Sequence, residues 1–331
     1  MSPNLTRRGL LKATAMLGIG GVLVGCSRNT SSSGSASAGA KYRVAYIARA
    51  QSDSFAAWLA NEMKNAAGQF PDLSLEVFDG QANDDTENTL IENAITNRFN
   101  AIIVQPNNGE AQRPYVEKVV AANIIAITTN ARIANIPGAS SVDANPYDQG
   151  AGVAKKALAD VPKGGKVVVL NGPAGNFHAI ERRKAWQAEF FDKRPDVKIV
   201  GEQIANWNKD EGMKLMEDWM TANPQIDAIC SMNDNMCAGA LEAVGNKPSM
   251  GKLFAYGTDG TPEACLLIQS GKMSATTLQS AIDLAKLNIQ SVHDLLTGAQ
   301  KQIDKNIDAP VVDSSNVAQY IDMYKKSNLI K

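Results

Sequence analysis

Asp53, Phe55, Gln105, Asn130, Asn176, His178, Arg182, Trp207, Asn233, Asp259 and Gln279 are scattered through the chain, yet each stands just beyond an apolar, strand-like run. Together they supply carboxylates, amides, a guanidinium and two large aromatic rings. Such a set suits a ligand rich in hydroxyls. Each hydroxyl both donates and accepts, and planar carboxylate, amide and guanidinium groups bind neighbouring hydroxyls in pairs. Aromatic rings cover the apolar C–H faces of a sugar ring. The set holds no nucleophile with a base beside it. With two histidines (His178, His293) and four cysteines in the chain, soft ligands are too few for a zinc or iron–sulfur enzyme of ordinary design. A hydrolase built on Ser-His or Cys-His would have to use one of those histidines. No Ser or Cys beside His178 is activated, so a hydrogen bond to ligand or a place on the rim is expected of it. No metal and no cofactor are expected.

The elements that must position these residues follow from periodicity. Apolar runs at 42–48, 73–78, 101–104, 124–128, 166–170, 197–204, 228–230, 253–257 and 274–278 read as strands. Helical stretches lie between them. One carries Ile282, Ala285, Ile289, Val292 and Leu296 on one face, with Ser280 as N-cap and Gly298 beyond its end. Strand–helix alternation predicts an α/β fold with parallel, doubly wound sheets, and 331 residues are too many for one ordinary core. Ligands of such sheets sit beyond the carboxyl ends of the strands, which is why the residues named above are the ones to inspect. Lys+Arg total 33 against 34 Asp+Glu, a net charge of −1; the chain has no electrostatic footprint for nucleic acid. Asp84-Asp85 with Glu87 reads as a solvated helix start favoured by the helix dipole. Trp186, Trp219 and the stripe Met213, Met216, Met220 read as core, and Gly172-x-x-Gly175 lacks the spacing of a dinucleotide fingerprint.

The chain opens with Thr6-Arg7-Arg8-Gly9-Leu10-Leu11-Lys12, an apolar stretch over 13–24, and Leu23-Val24-Gly25-Cys26. That stretch is too short to span about 30 Å of hydrocarbon and reads as an export signal. It resembles a twin-arginine signal ending in a lipobox. The resemblance implies cleavage after residue 25, lipidation of Cys26, and a periplasmic or cell-surface protein anchored to a membrane. Residues 27–41, rich in Ser, Gly and Ala, read as a flexible tether. Cys230, Cys237 and Cys265 sit in apolar surroundings and are expected as buried thiols.

Three segments carry a more specific resemblance: 232–241 (MNDNMCAGAL), 257–262 (GTDGTP), and Glu181-Arg182 following Gly172-Pro173-Ala174-Gly175. They resemble the ribose/galactose-type periplasmic sugar-binding proteins of ABC importers, and the ligand-binding part of lactose-repressor-like regulators, over residues 42–310. A regulator would carry a helix-turn-helix before the first strand, where this chain has its signal and tether. The resemblance implies a type I periplasmic binding protein fold, two Rossmann-like lobes joined by a three-crossing hinge near 143–145, 279–280 and 308–310. The N-lobe would be 42–143 plus 280–308, the C-lobe 146–278 plus 311–331. It further implies that Phe55 and Trp207 cover the two faces of a sugar. Asp53, Gln105 and Asn130 would bind it from the N-lobe, Arg182, Asn233 and Asp259 from the C-lobe, and Gln279 from the hinge. Asn176 and His178 stand where the galactose branch has His and Asp. The implied function is capture of a neutral monosaccharide or cyclitol for an ABC importer permease, without catalysis; alternatives are a sensor presenting sugar occupancy to a membrane receptor, or a carbohydrate-active enzyme. Ribose-type binders carry Asp-Arg at Asn130-Ala131 and a second aromatic at Ala56; their loss favours a hexopyranose or inositol over ribofuranose. The galactose branch carries a calcium loop where residues 159–165 offer one carboxylate, short of the six or so oxygens calcium takes.

Overall fold

The computed structural model describes residues 39–245 and 252–331. The export signal, Cys26 and tether residues 27–38 lie outside the described residues. Strand β1 (Tyr42–Ala48) is followed by α1 (Ser54–Ala67), β2 (Leu73–Asp79), α2 (Asp84–Thr96), β3 (Ala101–Val104), α3 (Gly109–Ala121), β4 (Ile125–Thr129) and β5 (Ser140–Ala144). The alternation resumes with α4 (Pro146–Asp160), β6 (Lys166–Asn171), α5 (Phe177–Trp186), β7 (Lys198–Ile204), α6 (Lys209–Ala222), β8 (Ala228–Ser231), α7 (Asp234–Val244), β9 (Phe254–Tyr256), α8 (Pro262–Gln269) and β10 (Ala275–Thr277). It closes with α9 (Ala281–Leu296), β11 (Asp304–Ile307), β12 (Val311–Asp313) and α10 (Val317–Lys326).

Two six-stranded sheets result, ordered β11-β5-β4-β3-β1-β2 and β12-β10-β9-β8-β6-β7. Every pairing is parallel except β10 with β12. The order reverses between β1 and β3 in the first sheet and between β6 and β8 in the second, and these are the switch points where such sheets open a crevice. β5 leads into α4, β10 into α9 and β11 into β12, so the chain passes between the sheets three times.

The central strands are apolar on both faces because helices cover both; β3 (AIIV) and β8 (AICS) are buried throughout. One apolar cluster gathers residues of both lobes, from Val44 and Trp58 to Tyr256 and Tyr324; a second, with Ile47, Ile91, Ile102 and Val116, fills the other face of the first sheet. Trp186 is wholly buried where α5 runs into a π-helical turn at Gln187–Phe191, and it packs edge-on against Phe190 and Tyr256. Cys230, Cys237 and Cys265 are buried free thiols.

Each apolar run read from the sequence is a strand, to within a residue or two at its ends. β5 (SSVDA) and β11 (DKNI) are largely polar and β12 (VVD) spans three residues, so none reads as an apolar run. The helix start at 84–87 is a correction. Asp85 is exposed, but Glu87 is completely buried, its Oε2 accepting from the Asn107 amide at 3.0 Å. The cause is a close approach: a Cβ at Gly80 would lie 2.5 Å from Glu87 Cγ, so the turn after β2 sits directly on this side chain. Its Oε1 has no hydrogen-bond partner among the described residues, and burial raises the carboxyl to about 8.

Candidate functional site

The carboxyl ends of both sheets face one narrow cavity. Its walls bring together Asp53, Phe55, Gln105, Asn130, Asn176, His178, Arg182, Trp207, Asn233, Asp259 and Gln279, the whole set named from the sequence, and add Arg49. Ala56 and Ala131 are buried but do not line it.

Local folding explains why these side chains converge. Asp53, Asn176 and Asn233 are the N-caps of α1, α5 and α7, accepting from the amides of Ala56 (2.8 Å), Ala179 (3.2 Å) and Met236 (2.9 Å). In a doubly wound sheet the residue that caps a helix also borders the crevice, so capping chemistry and ligand chemistry select the same short polar residues. Trp207 follows Asn206 with both residues at positive φ (61° and 49°), and Asn235 Nδ2 holds the turn by donating to the Trp207 carbonyl at 2.8 Å. Its indole lies flat on Gly172, where a Cβ would come within 2.3 Å of the ring. Only glycine permits that approach.

On the first sheet, Arg49 and Asp53 form a buried ion pair at 3.0 Å. Gln105 Oε1 accepts from Tyr46 Oη (2.9 Å) and the Arg49 amide (3.2 Å), while its Nε2 donates to Asn130 Oδ1 at 2.6 Å. Asn130 has φ 47°, a conformation in which Asn is at ease.

On the second sheet Arg182 is the hub. It is 2% exposed, and donates from Nε to Gln149 Oε1 (3.0 Å), from Nη1 to the Met232 carbonyl (2.8 Å), and from Nη2 to Asp259 Oδ1 (3.2 Å) and Gln279 Oε1 (3.4 Å). The same Nη2 lies 3.3 Å from His178 Nδ1. A guanidinium only donates, so Nδ1 accepts, and the ring proton sits on Nε2, which donates to Asp143 Oδ1 at 2.9 Å. His178 is therefore neutral, held between Arg182 and the end of β5. Burial lowers its pKa, and the nearby guanidiniums add to the effect, against the pull of Asp143. The sequence expectation of a rim or ligand-bonding histidine becomes that of a buried cross-link in the wall.

Burial raises the Asp259 carboxyl well above the usual range, with Arg182 pulling it back. Its backbone is strained at φ 125° and pinned beside a crossing, its amide donating to the Thr277 carbonyl and its carbonyl accepting from the Gln279 amide. Asp259 Oδ2, Asn233 Nδ2, Gln279 Nε2 and Asn130 Nδ2 make no protein hydrogen bond among the described residues. One acceptor and three amide donors are thus open to a ligand, and Trp207 Nε1 and the Nε and Nη1 of Arg49, whose Nη2 alone pairs with Asp53, likewise have no partner among the described residues. Asn176 Nδ2 spans the two lobes, donating to the Asn107 carbonyl at 3.0 Å.

Sequence reasoning missed Asp143 and Gln149. Asp143 also accepts from the Arg132 amide at 3.0 Å, and Gln149 Nε2 donates to Gln279 Oε1 at 2.8 Å. Both orient site residues from outside the cavity. An Asp within the end of a strand and a wholly buried Gln at the start of a helix are the only signals they give. Among the described residues, no group of three or more metal-ligating side chains occurs, and no helix is long and apolar enough to cross a membrane.

A family model described as periplasmic binding protein domain matches residues 44–300. The chain is 34% identical to the D-allose-binding periplasmic protein of Escherichia coli over 158 residues, 47% of this chain and 50% of that protein. It is 30% identical to the D-apiose import binding protein of Actinobacillus succinogenes over 234 residues, 70% of this chain and 75% of that protein. Among solved structures, an ABC transporter periplasmic solute binding protein from Actinobacillus succinogenes with bound D-allose is similar at a TM-score of 0.77 and 28% identity, covering 85% of this chain and 100% of that chain.

Proposed function

This chain belongs to the periplasmic binding protein family, a family of solute-binding proteins, and from that premise we propose that it captures a neutral six-membered polyol ring, a hexopyranose or a cyclitol, for an ABC importer. The observation that carries the reading is the state of the cavity's polar atoms. Arg49 and Arg182 are paired with Asp53 and Asp259 at 3.0 and 3.2 Å, so the walls carry no surplus charge for a phosphate or a polyacid. Asp259 Oδ2 and the three amide groups left unpaired suit a ring of hydroxyls, which donate to the one and accept from the others. Phe55 and Trp207, from opposite lobes, cover its apolar faces. The lobes, 42–143 with 280–308 and 146–278 with 311–331, close on the ligand about the three crossings. With no activated nucleophile among the side chains lining the cavity, the site captures and releases without chemistry. The mature protein is anchored outside the cytoplasm through a lipid on Cys26.

The deciding experiment is a thermal-shift and calorimetric screen of the tether-free protein with D-allose, glucose, galactose, xylose, myo-inositol and ribose. A ligand at 100 times its Kd stabilises the folded state by about 2.7 kcal/mol, a shift easily read. Tightest binding of ribose would sink the six-membered ring, and binding of a phosphorylated sugar alone would sink the charge argument. Mass spectrometry of the mature N-terminus tests the anchor. An unmodified or absent Cys26 would remove it.

A further inference from the structure

We infer that Tyr324, outside the cavity and near the end of the chain, is a positioning residue for ligand capture: its hydroxyl fixes the Asp259 turn of one lobe and its ring fixes the Phe55 helix of the other. The inference rests on the cavity being a sugar site. Tyr324 is fully buried on α10, which follows the last strand of the second sheet. Its hydroxyl donates to the carbonyl of Gly260, the residue directly after Asp259. That turn is costly to hold. Asp259 has φ 125° and Gly260 φ 65°, and a Cβ at Gly260 would lie 2.8 Å from the Leu278 backbone. The Gly260 amide is held by Thr276 Oγ1 at 3.2 Å, and among the described residues its carbonyl otherwise meets only the weakly donating Cys265 thiol at 3.8 Å. The tyrosine hydroxyl is thus the strong donor that orients the peptide following the carboxylate.

The ring does a second job. Trp58 meets Tyr324 edge-on at 5.5 Å and 79°, and Phe55 meets Trp58 edge-on at 5.9 Å and 82°. Phe55 and Trp58 stand on α1, one turn apart, packed on the first sheet; Tyr324 belongs to the second. A line of three aromatic rings therefore runs from the cavity wall of one lobe to the peptide behind the carboxylate of the other. All three are nine-tenths buried or more. Rigid aromatic contacts of this kind transmit displacement, because packed interiors do not yield continuously. A shift of Tyr324 moves the Asp259 carboxylate and the Phe55 ring relative to each other with no change in any cavity residue.

Tyr324→Phe keeps the ring and removes the hydroxyl. Two readouts test the inference. In the ligand-free protein, hydrogen exchange of the segment 257–262 should quicken several-fold in Tyr324→Phe, with β6 and β8 unchanged. With D-allose as the probe, calorimetry of the wild type, Tyr324→Phe, Asp259→Asn and the double variant should show a loss of about twofold to tenfold from Tyr324→Phe, the span expected for one neutral hydrogen bond. In the Asp259→Asn background the same change should cost almost nothing more, because it acts through that carboxylate. A merely structural tyrosine would cost the same in both backgrounds, and that additivity overturns the inference, as does unchanged exchange at 257–262. Should the wild type bind no D-allose, the choice of that sugar fails while the exchange experiment still decides the part played by Tyr324.

Discussion

Asp259→Asn and Asp259→Ala separate what this carboxylate does for the ligand from what it does for the fold. In the structure Oδ1 pairs with Arg182 Nη2 at 3.2 Å and Oδ2 is left for the ligand, with the side chain about nineteen-twentieths buried. Asparagine retains an acceptor for Arg182 but no longer offers a charged acceptor to two hydroxyls. Hydrogen bonds to charged groups contribute roughly 1.5–3 kcal/mol, so Asp259→Asn should weaken sugar binding by about tenfold to 150-fold. Alanine removes both acceptors and leaves the Arg182 cation buried among neutral partners. Breaking a buried pair on one side costs about 3–5 kcal/mol, so Asp259→Ala should lose stability as well as affinity. Urea unfolding and titration calorimetry read the two quantities independently. Because burial raises the Asp259 carboxyl, wild-type affinity should fall as pH drops through that raised pKa, whereas Asp259→Asn should be flat over the same range. Wild-type affinity in Asp259→Asn would refute the assignment of Oδ2 to the ligand, and wild-type stability in Asp259→Ala would refute the weight given to the ion pair.

Glu87, buried with an orphan oxygen and raised from 4.5 to about 8, is protonated in the native state and ionised when unfolded at neutral pH; folding binds a proton, so stability should fall as pH rises from about 4.5 to 8. Glu87→Gln should remove that slope and gain stability, on the order of a few kcal/mol, at pH 8 in urea unfolding; an unchanged slope would sink the protonated acid. His178 has the opposite sign: its folded pKa lies below the ordinary 6.5, so stability should be lost as pH falls below about 6.5, and His178→Gln should flatten that limb in thermal melts taken from pH 7 to 5. Gly172→Ala should drive the Trp207 indole into the cavity, weakening sugar binding at least about tenfold while leaving the melting temperature within a few degrees; equal affinity would mean that the indole does not bound the ligand.

The sheets and the candidate site were legible for one shared reason. Parallel strands buried on both faces are continuous apolar runs, and in this fold the residue after each run borders the crevice. Inspection of those positions named Asp53, Asn130, Trp207, Asn233 and Asp259 without knowing how the lobes sit. The misses have a shared reason too. β5 (SSVDA) and β11 (DKNI) carry too few apolar residues to read as buried runs, β12 (VVD) is only three residues long, and β11 pairs with β5 across about 160 residues of sequence. No local pattern announces them. Glu87 carries the local signature of a solvated first turn, and only the tertiary approach of Gly80 and Asn107 encloses it. Asp143 and Gln149 act on the site through His178, Arg182 and Gln279, and such contacts have no sequence spacing to read.

The three passages between the sheets set an order of assembly as the chain is made. The second sheet is built almost entirely from one continuous stretch, β6 to β10, with only the three-residue β12 added later. The first sheet is not. Its strand β11 pairs Asp304 with Ser141 and Ile307 with Ala144, across the whole intervening lobe. Until residues 304–307 leave the ribosome, β5 presents an unpaired edge, and α9 is not yet there to cover β4 and β5. The lobe begun first therefore waits for nearly all of the second before its own sheet is complete, through contacts of high sequence separation that slow folding, and its open edge is the place where a nascent or refolding chain is most exposed to pairing with a neighbour.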